Sequence, residues 1–469
     1  MLNNVIEYFK NKNIVILGFG KEGKSTYNFL RKYLKDIHLT IKDQNTSIND
    51  EPLLANDKNI TIIAGKDYLN DLEKYDVIMK TPGITFKNID ISNIKDKIHS
   101  QTELLLKYYK DIIIGITGTK GKSTTSSLIY TILKNNNKKT LLLGNIGNPI
   151  FDFIDTIEKD TLLVVELSSH QLEFVSSSPH ISIITNLYQD HLDHTNGLED
   201  YYKCKMNIAK YQTNEDTLLY YKSCNTLDNI IKNSNIKSNI ITIDFNNQLA
   251  NTYFHDDYIY INKNKIYNTL EKRNLIGNHN LINIMFALTI SNILSLDINK
   301  SIEAINNFTP LEHRLEFVDT INQVTYYNDS IATIPEATIN GIESLKNVNT
   351  LIFGGMDRGI DYDNFIKYLY SSKIDNLICM PTTGHKIANE LIKLGYSKNI
   401  YLVNTLEEAV KKAKLVTKKD TICLMSPAAA SYEYFKNFEE KGNTYKKLVR
   451  SLWIYYFFYW LLSRRIIYL

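Results

Sequence analysis

Short β-rich runs alternate with helical stretches along almost the whole chain, and that alternation restricts the fold more than any single residue does. Residues 13–17 (NIVIL) read as a buried strand, 25–33 as a helix, 37–41 as the next strand and 76–79 as a later one. Strand, helix and strand in that order make a βαβ unit, which implies a parallel sheet. A second series starts at Ile112-Ile-Ile114 and runs through 140–143, 162–165 and 181–185. A third begins after Phe308-Thr-Pro310, with strands expected at 324–327, 350–353, 376–380 and 421–425. Residues 217–266, rich in Asn with alternating Tyr and Ile, look like small antiparallel additions to the middle series. No short-period repeat is visible.

Length agrees with three units. A chain of 469 residues exceeds what one core organises, since cores stop growing at roughly 250–300 residues. A hydrophobic content of 43% with 22% charged residues is ordinary for a globular protein with a sizeable core. The formal charge of +3 is close to balance. No run of like charges marks a nucleic-acid arm, so no nucleic-acid partner is expected. Cys204, Cys224, Cys379 and Cys423 have neither CxxC spacing nor regular intervals, which fits a reducing compartment. The amino terminus carries Glu7 near Lys10 and shows no secretory signal, so a cytoplasmic location is expected.

One segment stands apart. Residues 452–462 (LWIYYFFYWLL) are continuously apolar or aromatic and precede Ser463-Arg-Arg465. A spanning helix needs about 20 such residues, so this one is too short to cross a bilayer. An interfacial anchor, a helix docked on the body and a tail made by a shifted reading frame remain as readings.

Two glycine-rich loops carry chemistry. Gly18-Phe-Gly20-Lys-Glu-Gly23 follows a strand and opens a helix, and Asp43 ends the next strand. Such glycines let backbone approach a pyrophosphate, while the helix N-terminus supplies partial positive charge. The physics selects a diphosphate rather than a nicotinamide; a purely structural turn is the plainer alternative. Gly115-Ile-Thr-Gly-Thr-Lys-Gly-Lys-Ser-Thr124 follows the strand at 112–114 and precedes a helical run at 125–133. Backbone N–H groups of Gly118, Thr119, Lys120, Gly121 and Thr124 can cradle phosphates, Lys122 adds an ammonium and the Ser123 hydroxyl can ligate magnesium. The glycine spacing departs from GxxxxGK[ST], because Ile116 stands where the first glycine belongs.

Downstream, Glu166 ends a buried strand, where a carboxylate could hold a magnesium ion. Asp190-His-Leu-Asp-His194 packs two carboxylates and two imidazoles into five residues, with Lys205 in a helix beyond. Alone, that cluster reads as a solvated turn and Lys205 as a surface lysine; beside a phosphate loop and carboxylates, magnesium is the favoured ion over zinc.

Thr117-Gly-Thr-Lys-Gly-Lys-Ser-Thr124, Gly144-Asn-Ile-Gly147, Glu166-Leu-Ser-Ser169, Asp190-His-Leu-Asp193, Gly277-Asn-His-Asn280, Glu312-His-Arg314, Asn328-Asp-Ser330 and Ser426-Pro-Ala-Ala-Ala-Ser431 occur in this order. Together they resemble the Mur ligases, over roughly residues 10–450. Gln171-Leu-Glu173 and Phe435-Lys-Asn-Phe-Glu-Glu-Lys-Gly442 point within that family to glutamate addition.

The resemblance implies an α/β fold of three consecutive domains: Rossmann-like over 1–101 for a UDP-sugar, P-loop-type over 102–309 for ATP, and Rossmann-like over 310–451 for glutamate, with a tail at 452–469. It implies that ATP phosphorylates the carboxylate of UDP-N-acetylmuramoyl-L-alanine and that the glutamate amine attacks the acyl phosphate. Catalysis would come from holding anionic reactants together and neutralising charge at the phosphoryl group, with Mg2+. Lys122 and Ser123 would hold the phosphates and a first metal, completed by Glu166. His191 would hold a second with a carbamylated Lys205. Asn280, Asn283, His313, Arg314 and Asp329 would meet ATP. Gly20, Asp43, Gln44, Thr81 and Asn145 would meet the UDP substrate, and Thr333, Arg358, Ser431 and Phe438 would meet glutamate. Two positions depart from the better-known pattern: Ile331 replaces a lysine after Asn328-Asp-Ser330, and Arg358 stands in for a second lysine after Gly354-Gly355. The D- or L-form of glutamate is left open by that pocket. A monomer is expected, as is no membrane anchoring through the tail. The L-glutamate-adding relative, another Mur or folylpolyglutamate-type ligase and a nucleotide-binding protein without activity are the alternatives.

Overall fold

A computed structural model describes residues 1–146, 149–189 and 197–465, with side chains as far as Ser451. Three sheets follow one another along the chain. The first has five parallel strands in the order Ile60–Ala64, Leu39–Asp43, Ile14–Leu17, Val77–Lys80, Ile98–His99. Its central strand is apolar and fully buried because both faces are covered, Ile14 and Ile16 entering one core and Val15 and Leu17 another, and a strand so placed has no polar face to present. Strand order reverses on either side of Ile14–Leu17, so the loop leaving that strand, at Gly18, lies at the switch point where open α/β sheets bind ligands.

The second sheet has nine strands, ordered Asn264–Asn268, Tyr258–Ile261, Thr252–His255, Asn239–Asp244, Thr217–Tyr221, Ile181–Ile184, Ile113–Thr117, Leu162–Glu166, Thr140–Gly144. The strand before the phosphate loop is flanked by Leu162–Glu166 and Ile181–Ile184, both parallel to it. Residues 217–266 correct the expectation of small antiparallel additions. Thr217–Tyr221 and Asn239–Asp244 continue the parallel sheet, joined by the helix Asn225–Lys232, and antiparallel pairing begins only at Tyr258–Ile261. The Tyr/Ile alternation belongs to that late hairpin, where one face is buried and the other is not.

The third sheet runs Glu316–Ile321, Val324–Asn328, Thr421–Met425, Val348–Phe353, Asn376–Cys379, Asn399–Leu402. Its first two strands form an antiparallel hairpin and the rest are parallel. Successive residues of the central strands enter different cores: Ile352, Ile378, Cys423 and Met425 join one, while Leu351, Phe353, Leu377, Cys379 and Leu424 join the other. That period of two is why these strands read as unbroken apolar runs.

By packing, the chain forms two compact units: Met1–Lys272 with Ile282–Asn307, and Arg273–Leu281 with Phe308–Leu469. The first two sheets share one unit because their helices share a core. Phe29 and Phe151 lie 4.4 Å apart between ring centres, and Gln101 ties the same contact with polar bonds. Its amide donates to Glu22 O (3.1 Å) and Thr26 Oγ1 (3.0 Å), and its carbonyl accepts from Phe151 N (3.0 Å). All four cysteines are buried free thiols. The last helix, Phe438–Arg465, continues through the aromatic run, and among the described residues no helix is long and apolar enough to cross a membrane.

Candidate active site

The phosphate loop joins the strand Ile113–Thr117 to the helix Lys122–Asn135. Gly118 and Gly121 adopt φ of +142° and +86°, and a Cβ on either would overlap a neighbour, Thr185 Oγ1 or Asn283 Oδ1. Only glycine is free of strain there. The loop is held from below by residues that follow the strand Ile181–Ile184. Thr119 N donates to Asn186 O (2.9 Å) and Lys120 N to Asn186 Oδ1 (2.8 Å), while Thr185 Oγ1 and Asn186 Nδ2 both donate to Lys120 O (2.6 and 2.9 Å). Lys122 folds back over the loop, donating to Gly118 O and Thr119 O at 2.9 and 3.0 Å. The result is a nest of backbone amides at a helix N-terminus, the arrangement that binds phosphate.

Glu166 lies beside this loop in register with Ile116 and is 1% exposed. Its Oε1 accepts from Asn145 Nδ2 at 2.7 Å; Oε2 is buried and, among the described residues, has no hydrogen-bond partner. A buried carboxylate oxygen with no donor is a costly defect unless a cation completes it, so Glu166 fits a magnesium ligand. Lys205, on the helix Leu198–Lys210, is no surface lysine: it is 2% exposed and donates to Gly118 O at 2.9 Å. Asp190, His191 and the rest of their cluster lie outside the described residues. Among the described residues no three His, Cys, Asp or Glu side chains group as a metal site. Asn283 sits against the loop, accepting from Thr125 Oγ1 at 3.1 Å.

In the first sheet, Gly18 (φ +92°) packs so closely on Thr81 that a Cβ would collide with its hydroxyl. The Thr81 amide and hydroxyl both donate to Leu17 O (3.0 and 3.2 Å). Gly20 begins the helix Lys21–Tyr33 with open space where a Cβ would be, as a site admitting a ligand needs. Asp43 is engaged within the loop itself: Oδ2 accepts from Phe19 N (2.6 Å) and Oδ1 from Asn45 N (2.8 Å). Gln44 beside it is exposed.

In the second unit, His313 (φ +67°) is buried, with Nδ1 2.9 Å from Asn328 Nδ2 and the Phe438 ring edge-on at 6.0 Å. Burial first, then the Lys446 charge, holds its pKa below the ordinary imidazole value. Asp329 accepts from Leu315 N (3.2 Å) and Ser426 Oγ (2.8 Å), which fixes the backbone beside Arg314. Asn280 caps its own turn by donating to Ile276 O (2.8 Å), and neighbouring His279 is pushed down to about 4 by burial and secondly by the Arg314 charge. Arg358 lies half-buried on a loop anchored by Met356 N to Ala430 O (2.9 Å), which brings it near the segment of Ser431. Ser431 Oγ is buried and has no hydrogen-bond partner among the described residues. Thr333 is half-buried beyond the turn closed by Ala332 N to Asp329 O (2.9 Å).

Three family profiles match consecutive parts of the chain: a Mur ligase MurD-like N-terminal domain over residues 12–100, the Mur ligase middle domain over 116–291 and a Mur ligase glutamate ligase domain over 313–428. The UDP-N-acetylmuramoylalanine--D-glutamate ligase of Clostridium kluyveri is 34% identical over 456 residues, 95% of this chain and 98% of that one. The chain belongs to the Mur ligase family. The corresponding ligase of Clostridium botulinum strain Loch Maree is also 34% identical over 95% of this Mur ligase and 98% of its own length. Among solved structures, UDP-N-acetylmuramate-alanine ligase MurC from Thermotoga maritima superposes with a TM-score of 0.57 at 20% identity, covering 94% of this chain and all of that one. MurF ligase from the same organism, solved in complex with ADP, gives 0.59 at 14% identity over 95% and 97%. Both have the three-domain fold of this Mur ligase.

Several residues that shape the site were not singled out from the sequence. Thr185 and Asn186 hold the phosphate loop, and Tyr201 places its hydroxyl 3.2 Å from Thr119 Oγ1. The signal available for Asn186 is its place just past the C-terminal end of a parallel strand. Lys441 and Gly442 end the segment Phe435–Gly442 of this Mur ligase, and neither was assigned a role from the sequence. Lys441 is wholly buried and donates to Gly354 O at 2.9 Å, at the root of the Arg358 loop. A Cβ on Gly442 would overlap His313 Nδ1 and Ser330 Oγ.

Proposed function

We propose that this Mur ligase joins D-glutamate to UDP-N-acetylmuramoyl-L-alanine in an ATP-dependent reaction through an acyl phosphate, in peptidoglycan precursor synthesis. The observation that carries the reading is near full-length similarity to enzymes named for that reaction, together with a glycine loop and an incomplete buried carboxylate side by side. Phosphorylation turns an unreactive carboxylate into an acyl donor, and magnesium supplies charge neutralisation at the phosphates when bound.

In this reading the loop Gly118 to Thr124, through the amides not engaged by Asn186, and the Lys122 ammonium grip the nucleotide, while Ser123 and Glu166 hold the first cation. Lys205, as a carbamate, joins His191 at a second; a cationic lysine repels a cation, whereas its carbamate is a carboxylate on a long stem. Asn283 adds to the nucleotide site beside the phosphate loop, and Asn280, His313, Arg314 and Asp329 are the second unit's residues for ATP. Gly20, Asp43, Gln44, Thr81 and Asn145 receive the UDP substrate. Thr333, Arg358, Ser431 and Phe438 receive glutamate, with the Arg358 fork suited to a carboxylate. Because Asp43 already accepts two backbone amides, its part is to shape the loop that meets uracil, with exposed Gln44 making the direct contact. The reading takes domain limits at 1–101, 102–309 and 310–451, supported by the succession of three sheets, and the enzyme works as a cytoplasmic monomer.

Phosphate release measured with ATP, magnesium, UDP-N-acetylmuramoyl-L-alanine and either glutamate enantiomer tests the proposal. Release is expected with the D-form. No release with either enantiomer from folded protein would overturn it, and release with the L-form alone would reassign the amino-acid pocket.

A further inference from the structure

Gly144 and Glu166 end neighbouring parallel strands and are partners in register. The chain then turns so that Asn145 reaches Glu166 twice. Its backbone N–H donates to Glu166 O at 2.9 Å, and its side-chain amide donates to Glu166 Oε1 at 2.7 Å. An ionised carboxylate only accepts, so the amide nitrogen is the atom that faces it. Gly144, at φ +97°, permits this close pass, since a Cβ there would run into Glu166 O. The backbone bond sets where the Glu166 side chain starts, and the amide bond sets how its carboxylate is rotated. That leaves Oε2 buried and, among the described residues, without a donor.

The asymmetry is informative. A glutamate kept at 1% exposure for structural reasons would have both oxygens satisfied, because an unsatisfied buried acceptor costs about 1–3 kcal/mol and more when charged. Here one oxygen is tied by a donor that itself stands in an exposed turn, and the other is left incomplete. Hydrogen bonds to a metal-binding carboxylate orient it and tune its affinity. We infer that Asn145 is a positioning residue for the divalent cation: it rotates the Glu166 carboxylate so that Oε2 is presented as a ligand. This rests on the ligase reading above, in which Glu166 holds a cation, and gives Asn145 a role separate from meeting the UDP substrate.

The test is Mn2+ titration of the full chain with equimolar ADP, followed by electron paramagnetic resonance, beside ADP binding without metal. Asn145→Ala is expected to weaken Mn2+ binding by about 10–100-fold, with metal-free ADP affinity unchanged. Asn145→Gln, which keeps the donor one methylene further out, is expected to fall between Asn145→Ala and the parent. Glu166→Gln is expected to remove the site. If Glu166→Gln removes it while both Asn145 variants bind Mn2+ like the parent, Asn145 does not position the ligand and the ligase reading stands. If Glu166→Gln itself binds Mn2+ normally, the metal assignment beneath both readings fails. Should Asn145→Ala lose metal-free ADP binding through misfolding, the Asn145→Gln series decides alone.

Discussion

Lys205 reaches from the middle of its helix to the carbonyl of Gly118, 2.9 Å away, so a buried lysine ends on the phosphate loop itself. The Tyr201 ring, one turn earlier, lies 4.8 Å from the same ammonium, measured to its centroid. A lysine is not kept at 2% exposure without a reason, since taking an ammonium out of water is costly.

Lys205→Ala is therefore expected to abolish phosphate release, and added short-chain carboxylates are expected to restore part of it by standing in for a carbamate. Full activity of the unrescued variant would remove Lys205 from metal binding.

Gly442→Ala tests the contact between the last helix and His313. Alanine ordinarily favours a helix by about 1 kcal/mol over glycine, yet here its methyl would overlap His313 Nδ1 and Ser330 Oγ. Overpacking wins, and a net loss of about 1–3 kcal/mol is expected in chemical denaturation. The KM for ATP should rise with it, because the imidazole is displaced. An unchanged denaturation midpoint would show that the neighbours yield freely.

Lys441 gives the fold a pH dependence with a definite sign. Burial lowers its pKa from 10.5 to about 7. Between those values the unfolded chain holds a proton that the folded chain does not, so this group's contribution rises with pH across that window and is absent below about 7. Denaturation midpoints of the parent relative to Lys441→Met should climb from pH 7 to pH 10. The variant also leaves Gly354 O without its donor, and a raised KM for glutamate is expected through the Arg358 loop. Parallel pH curves for the two proteins would contradict the assignment.

Truncation after Arg450 keeps Tyr445 and Val449, the residues through which the last helix enters the core. Full phosphate release and an unchanged melting temperature are expected. A truncated chain that aggregates would show that the aromatic run packs on the body.

Much of this was legible in the sequence for one physical reason: strands buried on both faces leave unbroken apolar runs, and parallel sheets place chemistry at the loops that end them. Hence Gly118, Lys122 and Glu166 were found where the fold puts them. The edges read poorly. Glu316–Ile321 and Asn399–Leu402 carry polar residues because one side of an edge strand meets water, and neither was marked as a strand. Lys205 could not be recognised as buried from its helix alone, since Gly118, whose carbonyl it meets, lies 87 residues earlier in the chain. Asp43 kept its predicted place at a strand end, yet its carboxylate is spent on the amides of Phe19 and Asn45, which no spacing rule reveals.

The bonds from Thr185 and Asn186 to Thr119 and Lys120 have a consequence for how nucleotide is captured. Segments that fold around a ligand surrender conformational freedom at the moment of capture, which weakens affinity. This loop surrenders it when the sheet forms, because the residues that clasp it belong to the end of the adjacent strand. Attraction between phosphate and amides is then free to appear as affinity, and the clasp at Asn186 sets the cradle's shape without touching what it holds.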